Sequence, residues 1–393
     1  MTDEDFRAEV RAFIAEKLPP EMGRRGLMGY HPHPPDVVYW TGVLNERGWS
    51  VPHWPVEHGG PGWTLTQRHI FDEECFAAGC PEVSPQGLHL VGPILITRGS
   101  EAQKAEFLPK IRSGEHFWTQ GFSEPNAGSD LGNLQTRAVR DGGEFVVNGQ
   151  KIWTSQAQYS DWLFLLVRTG TTGKPQEGIS FLLVDMKTPG IIVRPIVSID
   201  GGHILNEVFL TDVRVPVENI VGEENKGWTY AKELLGLERT LSAEVPRIRA
   251  MLKRLRHIAE TVEARGRPLI EDPHFARRVA LLDIEFLAHE AALWRVMAEE
   301  EAGISGGPVA SILKVGGTEL LQRVGALTVE ALGDEGLPAY LESDYLVGTP
   351  ADPPGSPLAP GVTADFFYRR AVTIYGGSNE IQRNIIAGEL LRG

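Results

Sequence analysis

Trp162-Leu163-Phe164-Leu165-Leu166-Val167 and Ile179-Ser180-Phe181-Leu182-Leu183-Val184 are short apolar runs, rich in branched and aromatic residues and flanked by Gly, Pro and Asp. Together with Glu144-Phe145-Val146-Val147 they read as strands between turn residues. The surrounding periodicity is different. From residue 1 to about 117 the pattern is helical, broken by turns such as Trp54-Pro55-Val56-Glu57-His58-Gly59-Gly60, and after Gly227 a helical pattern returns almost to Gly393. A Pro, Gly and Asp-rich stretch from Tyr345 to Thr363 interrupts it and reads as a surface loop. The chain therefore divides into helical residues 1–117, a β domain at 118–228 and a helical unit at 229–393. Helices, then strands, then helices predict an α+β multidomain fold rather than an alternating Rossmann sheet.

Composition narrows the function classes. The 393 residues are 42% hydrophobic and 23% charged, enough for several packed units, and the net charge of -14 argues against a binder of nucleic-acid phosphates. The first residues place Phe6, Val10, Phe13 and Ile14 at helical spacing behind an acidic start. This is an amphipathic helix without the basic start and continuous apolar centre of a signal peptide, and no segment supplies the roughly 20 apolar residues of a membrane span. A cytoplasmic enzyme is expected. Cys75 and Cys80 are too few for a disulfide framework or a zinc site and read as buried small side chains. The histidines offer no metal-binding spacing, so no metal is expected, and His31 and His33, in a Pro-rich turn, read as surface residues. There is neither a G-x-x-x-x-G-K-[ST] motif nor a G-x-G-x-x-G between a predicted strand and helix, so any nucleotide cofactor needs another architecture.

Two stretches carry candidate chemistry. Phe122-Ser123-Glu124-Pro125-Asn126-Ala127-Gly128-Ser129-Asp130-Leu131 is a polar turn able to offer backbone N–H groups and hydroxyls to a ring edge or a phosphate. Asn148-Gly149-Gln150-Lys151-Ile152-Trp153-Thr154-Ser155 sets an indole beside two hydroxyls, a pattern suited to covering a planar cofactor while bonding its edge. A Ser-rich turn also serves as a cap, and a strand Trp also serves as core.

With Ile374-Tyr375-Gly376-Gly377-Ser378-Asn379-Glu380-Ile381-Gln382-Arg383, these stretches resemble the acyl-CoA dehydrogenase family over essentially the whole chain, in order and in separation. Gly201-Gly202-His203 and Asn206-Glu207-Val208 resemble in particular its pimeloyl-CoA dehydrogenase large-subunit branch. The resemblance implies an N-terminal helical domain, a barrel-like middle sheet and a C-terminal four-helix bundle, with FAD held between the sheet and helices of two subunits. It implies that Gln120, Phe122 and Ser123 border the flavin, that Ser129 lies near the pantetheine or phosphate path, and that Trp153 covers the ring. Ser155, where the family usually has Thr, would bond near the reactive nitrogen, and Ser378 and Glu380 would approach the dinucleotide.

The dehydrogenation needs a carboxylate to take the proton alpha to the thioester while the beta hydrogen leaves as hydride to the flavin. Most family members place that Glu directly after the Tyr of the C-terminal motif, where this chain has Gly376. A second family position lies on the first long helix after the β domain, just before an Arg; here Leu237-Glu238-Arg239 occupies it. Glu238 is therefore the expected base, among apolar neighbours that raise its pKa, and Arg239 is expected to meet the CoA. The alternative is a Glu238 that merely pairs on a helix face, which its adjacency to Arg239 disfavours. The amide of Gly376 remains available to polarise the thioester oxygen.

Two departures bear on partners. Glu263-Ala264-Arg265-Gly266-Arg267 and Glu330-Ala331-Leu332-Gly333-Asp334 place acids where the family offers FAD contacts to a neighbouring subunit, and acid near a pyrophosphate is unfavourable. An α2β2 assembly with a second acyl-CoA dehydrogenase-like chain thus stands beside a homotetramer. The expected reaction is FAD-dependent oxidation of an acyl-CoA to the trans-2-enoyl-CoA, with electron-transferring flavoprotein as acceptor. Same-scaffold monooxygenase or desulfinase chemistry and a partner-subunit role are the alternatives.

Overall fold

The computed structural model describes residues 1–171, 173–237, 243–304, 308–338, 340–346, 348, 350 and 355–391. The N-terminal part holds α1 (Asp3–Lys17), α2 (Pro20–Met28), α3 (Pro34–Arg47), α4 (Leu65–Ala78), α5 (Gly92–Arg98) and α6 (Glu101–Ser113). Local chemistry sets several of these starts. Thr2, Thr64 and Ser100 form capping boxes with Asp5, Gln67 and Gln103, and Pro20 and Pro34 stand in the first turns of α2 and α3, where a missing N–H costs nothing. Phe6, Val10 and Ile14 of α1 pack with Trp40, Leu44, Trp49 and Phe71 in one core cluster.

Among the described residues the main sheet is built from seven strands, β1 (Trp118–Gly121), β2 (Arg137–Asp141), β3 (Glu144–Lys151), β4 (Trp162–Arg168), β5 (Ile179–Asp185), β6 (Ile191–Ile196) and β7 (Leu205–Pro216). Their order is β1-β4-β2-β3-β7-β6, with β5 also on β4. The β1–β4 pair is parallel and the β2–β3, β3–β7, β6–β7 and β4–β5 pairs are antiparallel. This curled sheet is buried on both sides where β4 and β5 run. Leu163, Leu165, Val167, Leu182 and Val184 face a core inside the sheet layer with Val208 and Val213, whereas Phe164, Leu166, Phe181 and Leu183 pack with helical residues Leu88, Leu90, Tyr230 and Leu234. Two buried faces are why these strands read as unbroken apolar runs.

The C-terminal part holds α7 (Gly227–Leu237), α8 (Val245–Thr261), α9 (Pro273–Glu301), α10 (Val309–Leu332), the short α11 (Glu342–Tyr345), α12 (Val362–Tyr368) and α13 (Asn379–Leu390). Helix α10 packs against α8, α9, α12 and α13 over a core that includes Ile248, Leu252, Leu255, Phe286, Leu320, Leu321 and Val324. Helix α7 lies on β5. A Cβ at Gly227 would sit 2.6 Å from the Ser180 carbonyl carbon, so only glycine lets α7 begin against that strand.

Three expectations change. His31 is not a surface residue: its side chain is 13% exposed and its Nε2 lies 2.6 Å from Asp200, a closeness that the missing side chain of Gly202 permits. The stretch after Tyr345 is not simply a surface loop, since Tyr345 and Ala359 are buried in the bundle core. Cys75 and Cys80 are half-buried rather than buried.

Candidate active site

Strand β1 delivers Gln120 and then the polar turn. Phe122 is buried, its ring edge-on to Phe164 at 5.7 Å and to Phe181 at 6.1 Å. Behind it stands Lys151, the last residue of β3 and fully buried, which donates to the Phe122 carbonyl at 3.0 Å and to the Glu124 carboxylate at 2.8 Å. Glu124 also accepts the backbone N–H groups of Gln135 (2.6 Å) and Thr136 (2.9 Å). Burial pushes the Lys151 ammonium down to about 8 against the pull of Glu124. For Glu124, burial pushes upward, but Lys151 and the hydrogen bonds hold it below the usual carboxylate range. This buried ion pair clamps the turn to the end of β3, and Ile152 N–H adds a bond to the Ser123 carbonyl at 3.0 Å. Ser123 is half-buried, while Ser129 lies farther along the turn and is exposed.

The segment after Lys151 is unusual. Trp153 has φ +62° and Gln156 φ +59°, left-handed conformations that L residues adopt at a cost. Bonds on the carboxyl side fix them: Thr154 N–H donates to the Asn206 carbonyl (3.0 Å), Gln156 N–H to the Ile204 carbonyl (2.7 Å), and Asn206 Nδ2 to the Thr154 carbonyl (3.1 Å). Asn206 is fully buried, bonds the Gln158 amide oxygen at 2.6 Å and meets His203 Nε2 at 2.8 Å. Thr119 Oγ1 donates to the Ser155 carbonyl at 2.6 Å. The result is a rigid platform on which Trp153 is 56% exposed, so this Trp is not core. Beside it the Thr154 hydroxyl is buried without a hydrogen-bond partner. Lys151, Glu124, Thr119, His203 and Asn206 were not expected as site residues. A Lys at a strand end reads as solvated, but Asn206 stood in a recognisable motif.

At the other end of the chain Tyr375 leads into Gly376 (φ +66°) and Gly377 (φ +84°), two successive left-handed residues. A Cβ built on Gly376 meets nothing within 4 Å, so the space where the family carries its carboxylate is open. Ser378 caps α13, its Oγ accepting the Ile381 N–H at 3.4 Å. Asn379 is buried, where it receives Lys314 Nζ at 2.9 Å and bonds Thr318. Burial lowers Lys314 to about 8. Glu380 is exposed in the first turn of α13, its carboxyl lowered by its own backbone N–H and by Ser378. Glu238 and Arg239 lie outside the described residues; α7, which leads to them, is seated on β5 and on the π-helical turn Gln86–Val91.

The expected acids toward a neighbouring subunit are also located. Glu263 belongs to a two-stranded hairpin with Pro268, turning through Arg265 and Gly266. Glu330 is bound by Arg278, one bond being 2.6 Å, so its charge is balanced within the chain. Among the described residues one group of His69, Glu73 and Glu290 lies close enough for a metal, but Arg249 already binds both carboxylates.

The donor set fits a flavin dinucleotide: an exposed indole on a strained, well-bonded segment, an unmatched buried hydroxyl next to it, and a helix start at Ser378. No helix among the described residues is long and apolar enough to cross a membrane. Three family descriptions match the chain: "Acyl-CoA dehydrogenase, N-terminal domain" over residues 2–115, "middle domain" over 119–213 and "C-terminal domain" over 225–391. Acyl-CoA dehydrogenase IpdE1 of Mycobacterium tuberculosis is 35% identical over 99% of this chain and 97% of its own. Among solved structures, a steroid acyl-CoA dehydrogenase, Tcur3481-Tcur3483, aligns at TM-score 0.85 and 30% identity over 100% of this chain and 97% of that one. The ChsE4-ChsE5 complex from Mycobacterium tuberculosis aligns at 0.83 and 32%, covering 100% and 97%. The chain therefore belongs to the acyl-CoA dehydrogenase family, FAD-dependent flavoproteins that oxidise CH–CH bonds.

Proposed function

We propose that this chain oxidises an acyl-CoA thioester to the trans-2-enoyl-CoA, with Glu238 taking the alpha proton. The observation that carries this reading is the Trp153 platform: an indole held open in a left-handed conformation, with an unmatched Thr154 hydroxyl and Ser155 beside it. Gln120, Phe122, Ser123, Trp153 and Ser155 would hold the isoalloxazine, Ser378 and Glu380 would approach the dinucleotide, and Ser129 and Arg239 would meet the CoA. FAD, when bound, supplies the acceptor for the beta hydride. Gly376 contributes a backbone N–H toward the thioester oxygen, lowering the cost of the charge that develops there. It offers no carboxylate, and the open space beside it leaves the proton to a residue on another element. Glu238, one residue beyond α7, is that residue in this reading. Electron-transferring flavoprotein is the proposed acceptor and the cytoplasm the proposed compartment, with domains at 1–117, 118–228 and 229–393.

A heteromeric α2β2 assembly is favoured over a homotetramer by a specific pair of observations. Two similar solved structures are complexes of two named chains, and Glu263 and Glu330 stand where FAD contacts to a neighbour are expected. The test of the reaction is anaerobic addition of acyl-CoAs to the flavin-loaded protein, with its partner chain if one is needed for loading. Bleaching of the flavin supports dehydrogenation; reduction only by a separate reductase points to a monooxygenase instead.

A further inference from the structure

One face of α10 is polar where a bundle helix is ordinarily apolar. Ser311, Lys314, Thr318 and Gln322 follow one another at spacings of three, four and four residues, which stacks them along one side of the helix, and the first three are buried. Each of them bonds the stretch from Arg369 to Gln382. Gln322 Nε2 donates to the Arg369 and Arg370 carbonyls at 3.0 and 3.1 Å. Asn379 Oδ1 accepts Lys314 Nζ at 2.9 Å, Asn379 Nδ2 donates to Thr318 Oγ1 at 3.2 Å, and Ser311 Oγ donates to Gln382 Oε1 at 2.7 Å. Buried polar groups are costly unless bonded, and the segment that satisfies these is the one that carries Tyr375-Gly376-Gly377.

The two glycines are the part of that segment with no side chains to fix it. Asn379 N–H closes the turn onto the Thr373 carbonyl at 2.9 Å, and Tyr375 N–H donates to the Ala371 carbonyl at 3.1 Å. Between these anchors Gln382 Nε2 is shared by the Gly376 and Gly377 carbonyls, at 3.4 and 3.3 Å. A Cβ on Gly377 would lie 2.7 Å from that nitrogen, so glycine is what admits the amide so close. With Oε1 bonded to Ser311, the NH2 group is what Gln382 presents to the turn. Both glycine carbonyls are thus tethered to α13. The N–H groups of Gly376 and Gly377 bond no group among the described residues, and both glycines are exposed. Exposed backbone donors beside tethered carbonyls suit an electron-rich oxygen.

We propose that Gln382, oriented by Ser311, is a positioning residue for the dehydrogenation: it holds the Gly376-Gly377 peptides so that the Gly376 N–H meets the thioester oxygen. The inference rests on the reading of the chain as an acyl-CoA dehydrogenase that polarises its thioester at Gly376. Gln382 acts there through the backbone rather than by touching the substrate. Loss of the alpha proton moves charge onto the thioester oxygen, and a donor already aimed at that oxygen needs no reorganisation as the charge forms. Two successive glycines left untethered would spread over many backbone conformations and lose the aim.

The test uses Gln382→Glu, which keeps the size and the acceptor for Ser311 but loses the NH2 group, with neutral Gln382→Leu as the control for charge. In the flavin-loaded enzyme, or its complex, difference infrared spectroscopy reads the thioester C=O stretch of bound trans-2-enoyl-CoA, the product of an acyl-CoA that bleaches the flavin, isotope-labelled at that carbonyl. The parent is expected to lower the stretch relative to the free thioester, and both variants to return it toward the free value. Flavin reduction at saturating acyl-CoA should slow by about 10-fold, less than the roughly 100-fold that deleting an oxyanion donor costs, with KM changed far less. Ser311→Ala should shift the stretch in the same direction, and Ser311→Thr, which keeps the hydroxyl, should match the parent. If one Gln382 variant fails to fold, the other and Ser311→Ala read the same stretch. A stretch left at the parent position, with or without a loss of stability, overturns this inference alone, as does a shift in Gln382→Glu that Gln382→Leu lacks, which would assign the effect to charge. A parent stretch at the free value removes the Gly376 reading with it, and no bleaching by any acyl-CoA removes the dehydrogenase reading as well.

Discussion

Removing the proposed base while keeping its shape is the sharpest test at the level of single residues. Glu238→Gln is expected to lower the rate of flavin reduction by about 100-fold or more, the usual contribution of a positioned general base, while the flavin spectrum persists. Stopped-flow mixing with an active acyl-CoA measures it, and an unchanged rate would put the chemistry on another residue or chain. Gly376→Glu in that background is a second, independent prediction. A Cβ at Gly376 has no neighbour within 4 Å, so a side chain fits, but φ +66° imposes a strain of about 1–2 kcal/mol on any L residue. Partial recovery of flavin reduction, short of the starting rate, is expected.

Among single elements, the end of β3 shows what sequence could and could not tell. The apolar runs of β4 and β5 announce strands buried on both faces, and the polar turn and indole were recognisable as candidate chemistry. The clamp that shapes them was hidden, because burial of Lys151 depends on Glu124, 27 residues away along the chain, and on two N–H groups from beyond the turn. The left-handed backbone at Trp153 was equally invisible, since it is imposed by Asn206 across the sheet. Lys151→Met should therefore cost about 3–5 kcal/mol by leaving Glu124 buried without its cation, and Glu124→Gln added to it should recover part of the loss. Urea unfolding of the three proteins checks this; equal stability of Lys151→Met and the parent would show that the pair does not hold the turn.

A second clasp, between helices, predicts acid sensitivity. Glu73 on α4 receives Arg7 of α1 at 2.9 Å and Arg249 of α8 at 2.9 Å. Burial alone would raise its carboxyl, but His69, Arg7 and Arg249 outweigh it and hold the group at about 2 instead of 4.5. A depressed carboxyl contributes its stability above the unfolded value and loses it as pH falls from 4.5 toward 2. The linkage amounts to about 3 kcal/mol at most. Comparing urea midpoints at pH 5 and pH 3, Glu73→Gln is expected to show a smaller drop than the parent; parallel drops would assign the acid lability elsewhere.

For the whole molecule, the outer side of α9 sets the question of assembly. Ile284 is 62% exposed, Leu287 61% and Leu281 49%, three large apolar side chains within two turns of a bundle helix. Exposed apolar surface concentrated in this way is the kind of face that a contact with another chain would cover, and the proposed assembly is tested there. The mass of the single chain is 43.2 kDa, so light scattering distinguishes a monomer from a homo-oligomer directly. If a second, unlike chain completes the FAD site, the chain expressed alone should bind substoichiometric flavin, and co-expression with that partner should raise occupancy and give an α2β2 mass. Ile284→Glu with Leu287→Glu should then break the assembly and release flavin without altering helix content measured by circular dichroism, because neither side chain belongs to the bundle core. Full, tight flavin occupancy in the lone chain would remove the argument for an obligatory partner, and an unaltered mass in the double variant would show that this face of α9 is not the contact.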